Sequence, residues 1–231
     1  MVLAVWTPKG GSGCTVTSCA LAIAAARDYP FPALLVDTEG DVPAALGVLD
    51  SPGLGVGDWI AAGQLQTAST LLSHAIATTA GLSVLPAGTK SRFDSSDHGT
   101  ALARVLATHG GAVVVDLGAS DSKWQREVMD AADSVVMVIR ACYLGLRRAR
   151  RSPNLDLTAG VVVIEETGRR IGSTEIEDVL GLPIWGSIPW RAAIASAVDA
   201  GVLAQRLPEE LLRGSRRIWA SAPLESRQHV A

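Results

Sequence analysis

The stretch VLAVWTPKGGSGCT, residues 2–15, decides the fold. Its first part, Val2–Trp6, is an apolar run without alternation, which is typical of a strand buried on both faces of a parallel sheet. A glycine-rich loop follows and leads directly into Thr15–Arg27, an alanine-rich stretch that predicts a helix. This order of elements is what a phosphate-binding loop requires, because backbone N–H groups can curl around an anion at the positive end of the helix.

The alternation of strand and helix continues along the chain. Further short apolar runs predict strands at Ala33–Val36, Leu82–Leu85, Ala112–Val115, Val135–Ile139, Val161–Ile164 and Ile184–Ile188. Helical stretches lie between and after them, at Asp94–His109, Ser122–Ala132, Leu144–Arg151, Ser173–Leu180, Ala192–Leu203 and Pro208–Ala220. We therefore expect an α/β fold with a doubly wound, mostly parallel sheet and helices on both faces. The sequence predicts one domain over residues 1–222 and a flexible tail at 223–231.

The composition narrows the class of protein. A hydrophobic fraction of 48% excludes disorder for most of the chain. The net charge of −3 argues against bulk electrostatic binding to nucleic acid, although it leaves room for a local basic patch. The cysteines Cys14, Cys19 and Cys142 form no C-x-x-C motif, so neither a disulfide framework nor a zinc site is indicated, and a reducing cytosol fits best.

The glycine-rich loop has most of the residues that hold a nucleotide. Its glycines let the backbone approach phosphates closely, and the Thr15 hydroxyl is placed to bind Mg²⁺. Two positions depart from the pattern G-x-x-x-x-G-K-[ST]: Pro8 replaces the first glycine, and Cys14 replaces the lysine. A thiol cannot supply the charge that this lysine brings to the β- and γ-phosphates. The alternative is a glycine-rich turn that binds no nucleotide.

Three carboxylates follow predicted strands. Asp37 and Glu39 come directly after the second strand, where two solvated carboxylates in a turn are the alternative. Asp116 ends a strand of valines, where a carboxylate is costly unless it faces a ligand or a metal ion.

These residues carry a resemblance to a known family. The segment Lys9–Thr15 resembles the deviant Walker A motif, K-G-G-x-G-K-[ST], of the ParA/MinD superfamily. Five further segments resemble that superfamily in matching order, namely Leu34–Glu39, Leu82–Gly88, Val113–Gly118, Ala131–Val138, and Glu177–Pro183 with Gly186–Pro189. The loss of the loop lysine is similar to the CpaE/TadZ pilus-positioning proteins and the septum-site-determining branch.

The resemblance implies a three-layer α/β/α fold of the P-loop NTPase type and assigns roles to individual residues. It implies that ATP or ADP with Mg²⁺ is held by Gly10, Gly11, Ser12, Gly13, Cys14 and Thr15, and that the metal is held by Thr15, Asp37 and Asp116. In the family, Lys9 would contact nucleotide across a dimer interface, and Glu39 would position the attacking water. The adenine-reading asparagine of the family has no counterpart, because Ile164-Glu165-Glu166 stands in its place.

The implied function is a nucleotide-binding switch. It forms a homodimer and recruits or positions a protein machine of the pilus/secretion, septum or partition type, in the cytoplasm or peripherally at the inner membrane face. We expect at most slow ATP hydrolysis, because Cys14 replaces the lysine. The alternatives are a pseudo-ATPase that binds partners without nucleotide, and an ATP-dependent ligase or synthetase on the same fold.

Two basic segments and one thiol have further alternatives. Arg147, Arg148, Arg150 and Arg151 are either a solvated helix end or a weak DNA-binding patch. Residues 208–220 place Leu211, Leu212, Ile218 and Trp219 on one helical face, which either packs on the domain, the interpretation we favour, or binds a membrane surface. Cys14 lies at a predicted helix N-terminus, which lowers thiol pKa values, so a redox-sensing role is the alternative to a simple loss of the lysine.

Overall fold

The computed structural model describes residues 1–48, 54–62, 67–78, 81–89, 97–119 and 122–223. These residues form one eight-stranded sheet in the order β3-β4-β2-β5-β1-β6-β7-β8. The strands are β1 (Val2–Trp6), β2 (Ala33–Asp37), β3 (Ile76–Ala77), β4 (Leu82–Leu85), β5 (Ala112–Asp116), β6 (Ser134–Arg140), β7 (Gly160–Glu165) and β8 (Ile184–Pro189). Every pairing is parallel except that of β3 with β4. The prediction of a mostly parallel, doubly wound sheet is confirmed.

The described residues form ten α-helices and one short 3-10 helix, Pro153–Leu157. The α-helices are α1 (Cys14–Asp28), α2 (Val42–Leu46), α3 (Val56–Ala61), α4 (Ala68–Leu72), α5 (Asp97–Ala107), α6 (Lys123–Ala131), α7 (Tyr143–Ala149), α8 (Ser173–Leu180), α9 (Ala192–Asp199) and α10 (Glu209–Ser221). The sequence predicted all but the three short helices α2, α3 and α4. The first three residues of the helix predicted at Asp94–His109, which corresponds to α5, lie outside the described residues. Most of the predicted tail, residues 224–231, also lies outside them.

Helices cover both faces of the sheet, which explains the continuous apolar runs of the strands. In β1, Leu3 and Val5 point to the layer that contains α1 and α10, whereas Ala4 and Trp6 point to the opposite layer with α5 and α6. Since both faces are buried, no position of the strand can be polar at low cost. Because β1, β2, β5 and β6 pair in parallel, their C-terminal ends lie at the same end of the sheet, where the glycine-rich loop follows β1.

Helix α10 packs on α1 and β8 and completes one of the two helical layers. Its four large apolar residues are buried, and Trp219, with 4% of its surface exposed, donates a hydrogen bond from Nε1 to the carbonyl oxygen of Leu21 at 3.0 Å. The core therefore uses the apolar face of residues 208–220, as the favoured interpretation predicts, and membrane binding through these residues stays an untested alternative. In the described part of the chain, no helix combines the length and apolarity needed to cross a membrane.

Candidate functional site

The glycine-rich loop joins β1 to α1 and is held in shape by its own hydrogen bonds. The Lys9 carbonyl oxygen accepts from the Ser12 hydroxyl at 2.7 Å and from the Thr7 hydroxyl at 3.1 Å. Gly11 and Gly13 have φ angles of 74° and 86°, in the left-handed region that favours glycine. No side chain of the described residues caps α1, so the amide groups of its first turn stay available to an anion.

A cavity of about 440 Å³ lies against this loop. Five of the six predicted nucleotide-binding residues line it, namely Gly10, Gly11, Gly13, Cys14 and Thr15, while Ser12 lines a second cavity beside it. Glu39 and Asp41 stand on the opposite wall. Lys9 is half-buried, and its ammonium group forms no ion pair with any residue that the structure describes.

Asp116 lies beneath the loop with no exposed surface. Its Oδ1 accepts hydrogen bonds from the Cys14 thiol and the Ser18 hydroxyl, both at 3.2 Å, whereas Oδ2 is buried without a partner among the described atoms. Burial raises the pKa of Asp116, and neighbouring donors, Thr15 first among them, oppose the rise. An unpartnered buried carboxylate oxygen is costly, and a divalent cation shared with the Thr15 hydroxyl would satisfy it. The residues present therefore fit Mg²⁺.

The Cys14 side chain turns into the core and not towards the cavity opening. Besides the bond to Asp116, its thiol contacts the carbonyl oxygen of Val5 at 3.6 Å. Burial and the nearby Asp116 carboxylate raise the pKa of the Cys14 thiol well above its ordinary value. These effects outweigh the helix N-terminus, which would lower the pKa. The buried geometry therefore argues against the redox-sensing alternative, because the helix N-terminus does not lower the pKa of this thiol here.

Asp37 lies next to Asp116 in the register of β2 and β5. Both of its carboxylate oxygens accept backbone amides: Oδ1 from Glu39 at 3.0 Å and Gly40 at 2.8 Å, and Oδ2 from Val42 at 3.2 Å. Burial raises the pKa of Asp37 to about 6. In this structure Asp37 shapes the loop that carries Glu39, and its role as a metal ligand stays a prediction.

Glu39 is held at the cavity wall by a residue that the sequence did not reveal. Its Oε1 accepts a hydrogen bond from Gln125 Nε2 at 3.1 Å, and the same amide donates to the Leu117 carbonyl oxygen at 2.9 Å. Gln125 is 1% exposed, and its own oxygen accepts from the Ser122 hydroxyl. A Cβ atom at Gly118 would lie 2.5 Å from Glu39 Cγ, so the Glu39 side chain can pass over this position only because residue 118 is glycine. Partial burial raises the pKa of Glu39.

The second cavity, of about 220 Å³, lies on the other side of the loop. Its walls are mostly apolar, with Ile164, Ile188 and Ile194, and the half-exposed Trp190 stands at its rim. Arg140, the last residue of β6, also lines it and donates from Nη1 to the Gly11 carbonyl oxygen at 3.4 Å. Sequence reasoning missed Arg140, although a charged residue at the end of an apolar strand is the same signal that pointed to Asp116.

The chain matches the family model of the CobQ/CobB/MinD/ParA nucleotide binding domain over residues 3–204. It belongs to this family. Two uncharacterized proteins from two strains of Mycobacterium tuberculosis are 30% identical over 231 residues, which is 96% of this chain. The chain spans 64% of the length of these relatives.

Solved structures of the ParA/MinD type share the fold. A ParA family ATPase from Chlorobium tepidum has a TM-score of 0.78 at 24% identity and covers 95% of this chain and 98% of its own. The MinC:MinD cell division protein complex of Aquifex aeolicus gives 0.76 at 20% identity, with coverage of 97% and 98%. Septum site-determining MinD with Mg-ADP from Pyrococcus horikoshii gives 0.74 at 17%, with coverage of 94% and 93%. The ParA/MinD resemblance is confirmed, and the finer CpaE/TadZ assignment stays a prediction.

Proposed function

We propose that the protein is a nucleotide-dependent switch that binds ATP or ADP with Mg²⁺ in the larger cavity, pairs with a second copy of itself, and positions or recruits a cellular assembly. The observation that supports this most directly is the cradle at the end of β1. The uncapped first turn of α1 and Thr15 line the larger cavity, and the unpartnered Asp116 Oδ2 is buried beneath this turn, where Asp116 contacts Cys14 and Ser18. An anion with a divalent cation complements both features.

Different residues at the cavity bind the phosphates, the metal ion and the attacking water molecule. The loop amides hold the phosphates, and Thr15 and Asp116 would hold Mg²⁺, which neutralises charge on the terminal phosphates when bound. Gln125 keeps Glu39 at the wall, where its carboxylate can orient a water molecule. Since Cys14 turns into the core and brings no charge, hydrolysis is slow. Lys9 supplies part of the missing charge from the second copy.

The proposal of a protein partner is supported by the family. MinD of Aquifex aeolicus has been solved in complex with MinC, and we extend partner binding to this chain as a proposal. The partner belongs to a positioning system of the pilus/secretion, septum or partition type, in agreement with the CpaE/TadZ-like loop. We place the switch in the cytoplasm or at the inner face of the membrane.

Calorimetry with ATP, ADP and GTP, with and without Mg²⁺, tests the proposal. We expect dissociation constants on the order of micromolar to millimolar, with phosphate release near background. Asp116→Asn should abolish the gain in affinity that Mg²⁺ brings, because the amide cannot replace the carboxylate as a ligand. Asp130→Asn, at an exposed position of α6 that lines neither cavity, is the control and should retain that gain.

The second candidate is a pseudo-ATPase that binds partners without nucleotide. The contact of the Cys14 thiol with Asp116 favours it, because the thiol occupies the carboxylate oxygen nearest the loop. No binding at millimolar nucleotide would decide for this candidate, and rapid steady-state turnover would exclude both it and slow hydrolysis.

A further inference from the structure

The two cavities beside the loop differ in charge. They share Gly11, Gly13, Val16 and Val198, so the loop, the start of α1 and one residue of α9 form their common wall. In the described part of the chain, the charged residues that line the larger cavity are the carboxylates Glu39 and Asp41. The smaller cavity is lined by Arg140 and Arg191 against Asp199. Among the described residues that line the two cavities, positive charge is therefore confined to the smaller one.

Arg140 is the arginine that touches the loop. Its Nη1 donates to the Gly11 carbonyl oxygen, and Nη2 forms an ion pair with Glu166. Glu166 is shared, because it also accepts a hydrogen bond from Arg169 Nε at 2.6 Å. One carboxylate thus faces two guanidinium groups, and one positive charge is left over. The Nε atom of Arg140 is buried and has no partner among the described atoms, so the guanidinium retains a free donor.

The position of a nucleotide in the two cavities follows from their walls, provided that the proposed function holds. The terminal phosphate belongs on the side of Thr15 and Asp116, where Mg²⁺ fits. The base fits the apolar walls of the smaller cavity beside Trp190. The phosphate next to the ribose then passes the shared wall, on the side of Arg140.

We propose that Arg140 supplies the positive charge that the loop lacks at position 14, and that it acts on the phosphate next to the ribose and not on the terminal phosphate. The site then holds a nucleoside diphosphate as tightly as a triphosphate. A charge-assisted hydrogen bond from a guanidinium stabilises either ligand equally. The additional charge of the triphosphate meets the carboxylates Glu39 and Asp41, so without Mg²⁺ the diphosphate is favoured.

The experiment measures affinities for ATP, ADP, AMP and adenosine by calorimetry, with and without Mg²⁺; the corresponding guanosine series is used if GTP binds better. For the unaltered chain we expect ATP and ADP affinities within about three-fold of each other in Mg²⁺. Arg140→Met should weaken ATP, ADP and AMP by a similar factor of about ten or more and leave adenosine unchanged, because only the phosphate contact is lost. Arg140→Lys should recover part of the loss.

Two further variants separate a direct role of Arg140 from a structural one. Arg170→Met is the matched control, since Arg170 is exposed, does not line the smaller cavity and forms no ion pair with a described residue, and the variant should bind nucleotide like the unaltered chain. Cys14→Lys should strengthen ATP binding alone, because a lysine there reaches the terminal phosphates. If the buried position does not accept lysine and the variant unfolds, the Arg140 series still decides.

Each result supports or overturns the inference. A ten-fold or greater preference of the unaltered chain for ATP, roughly 1.4 kcal/mol, would overturn it. Normal binding of every ligand by Arg140→Met would also overturn the inference. If Arg140→Met weakened adenosine binding as much as ADP binding, Arg140 would act through the structure of the loop, and the inference would be overturned as well. If the unaltered chain binds no nucleotide, the proposed function fails, and this inference fails with it.

Discussion

Helices α7 and α10 both combine apolar residues with arginines, but their surroundings differ. Trp219 of α10 is buried, while Tyr143 and Leu144 of α7 are 69% and 52% exposed. Helix α10 lies across α1 and β8, where the sheet needs a cover. Helix α7 follows the end of β6, and the side chains of Tyr143 and Leu144 in its first turn are exposed to solvent. An amphipathic pattern thus shows that a helix has an apolar face, but the neighbours decide whether the protein itself covers it.

The largest expected effect is the loss of stability in Trp219→Ala. The side chain packs between α10 and α1 and donates to the Leu21 carbonyl oxygen, so its removal leaves a cavity and deletes this hydrogen bond. We expect a loss of about 3 to 5 kcal/mol in the free energy of unfolding, measured by denaturant titration. Trp190→Ala, at a half-exposed tryptophan, should change it by less than about 0.5 kcal/mol. An unchanged Trp219→Ala that no longer sediments with anionic liposomes would restore the membrane alternative.

The second largest effect is expected in thiol labelling, which distinguishes the buried cysteines of α1 from the cysteine before α7. Cys14 and Cys19 of α1 are buried, and burial raises the pKa of both thiols, whereas Cys142 before α7 is only half-buried. We expect an alkylating reagent to modify Cys142 in the native protein and all three cysteines after unfolding, as read by mass spectrometry of peptides. Native labelling of Cys14 would contradict the buried geometry and revive the redox hypothesis.

A smaller effect is expected on the exposed face of α7. Tyr143→Ala and Leu144→Ala remove side chains that stand largely in solvent, so the free energy of unfolding should change by about 0.5 kcal/mol or less. Thermal unfolding measures this directly. A loss comparable to that of Trp219→Ala would mean that α7 is covered after all, and the contrast between the two helices would disappear.

The same surface carries the DNA alternative. Arg147, Arg148, Arg150 and Arg151 are exposed and form no ion pair with a described residue. If they bind DNA, affinity for a duplex fragment should fall with salt and should fall further in the double variant Arg147→Glu, Arg151→Glu. Binding that neither salt nor the variant changes would leave these residues as a solvated helix end.

The smallest expected effect concerns the ion pair between α10 and α1. The Arg216 guanidinium, 2.7 Å from Asp28, holds the pKa of that carboxyl below its ordinary value of 3.8. Because the folded pKa is the lower one, the pair stabilises the fold above pH 3.8, and the contribution disappears as the pH falls through the folded value. Arg216→Gln should therefore lower Tm slightly at neutral pH and not in strong acid. Arg217→Gln is the control, and a Tm difference that persists in acid would contradict the assignment.

The sheet was predictable because its signal is local. Val2–Trp6 and Leu82–Leu85 coincide with observed strands, since strands buried on both faces read as unbroken apolar runs. The short helices α2, α3 and α4 were not predicted, because five or six residues are too few to show a helical period. Helix α2 follows a turn that Asp37 holds through backbone amides. Helix α3 begins where the Gly55 amide bonds Asp58 and the chain pairs with Pro86.

The site was predictable in its loop and not in its surroundings. The glycines and Thr15 follow one another in sequence, so their spacing alone predicts the cradle. Arg140 reaches Gly11 across 129 residues, and Gln125 reaches Glu39 across 86, so no local pattern connects them. The inward turn of Cys14 depends on Asp116 of the adjacent strand, which makes burial and not the helix N-terminus decide the state of the thiol.

The two edges of the sheet determine how copies of this protein can meet. At one edge stands the two-residue antiparallel strand β3, and at the other β8 carries a bulge against β7 and ends at Pro189. Short strands, bulges and prolines make poor templates for a further strand. Among the described residues, neither edge offers a long flat ladder that a neighbouring chain could extend. Growth into fibrils by strand addition at either edge is thereby disfavoured.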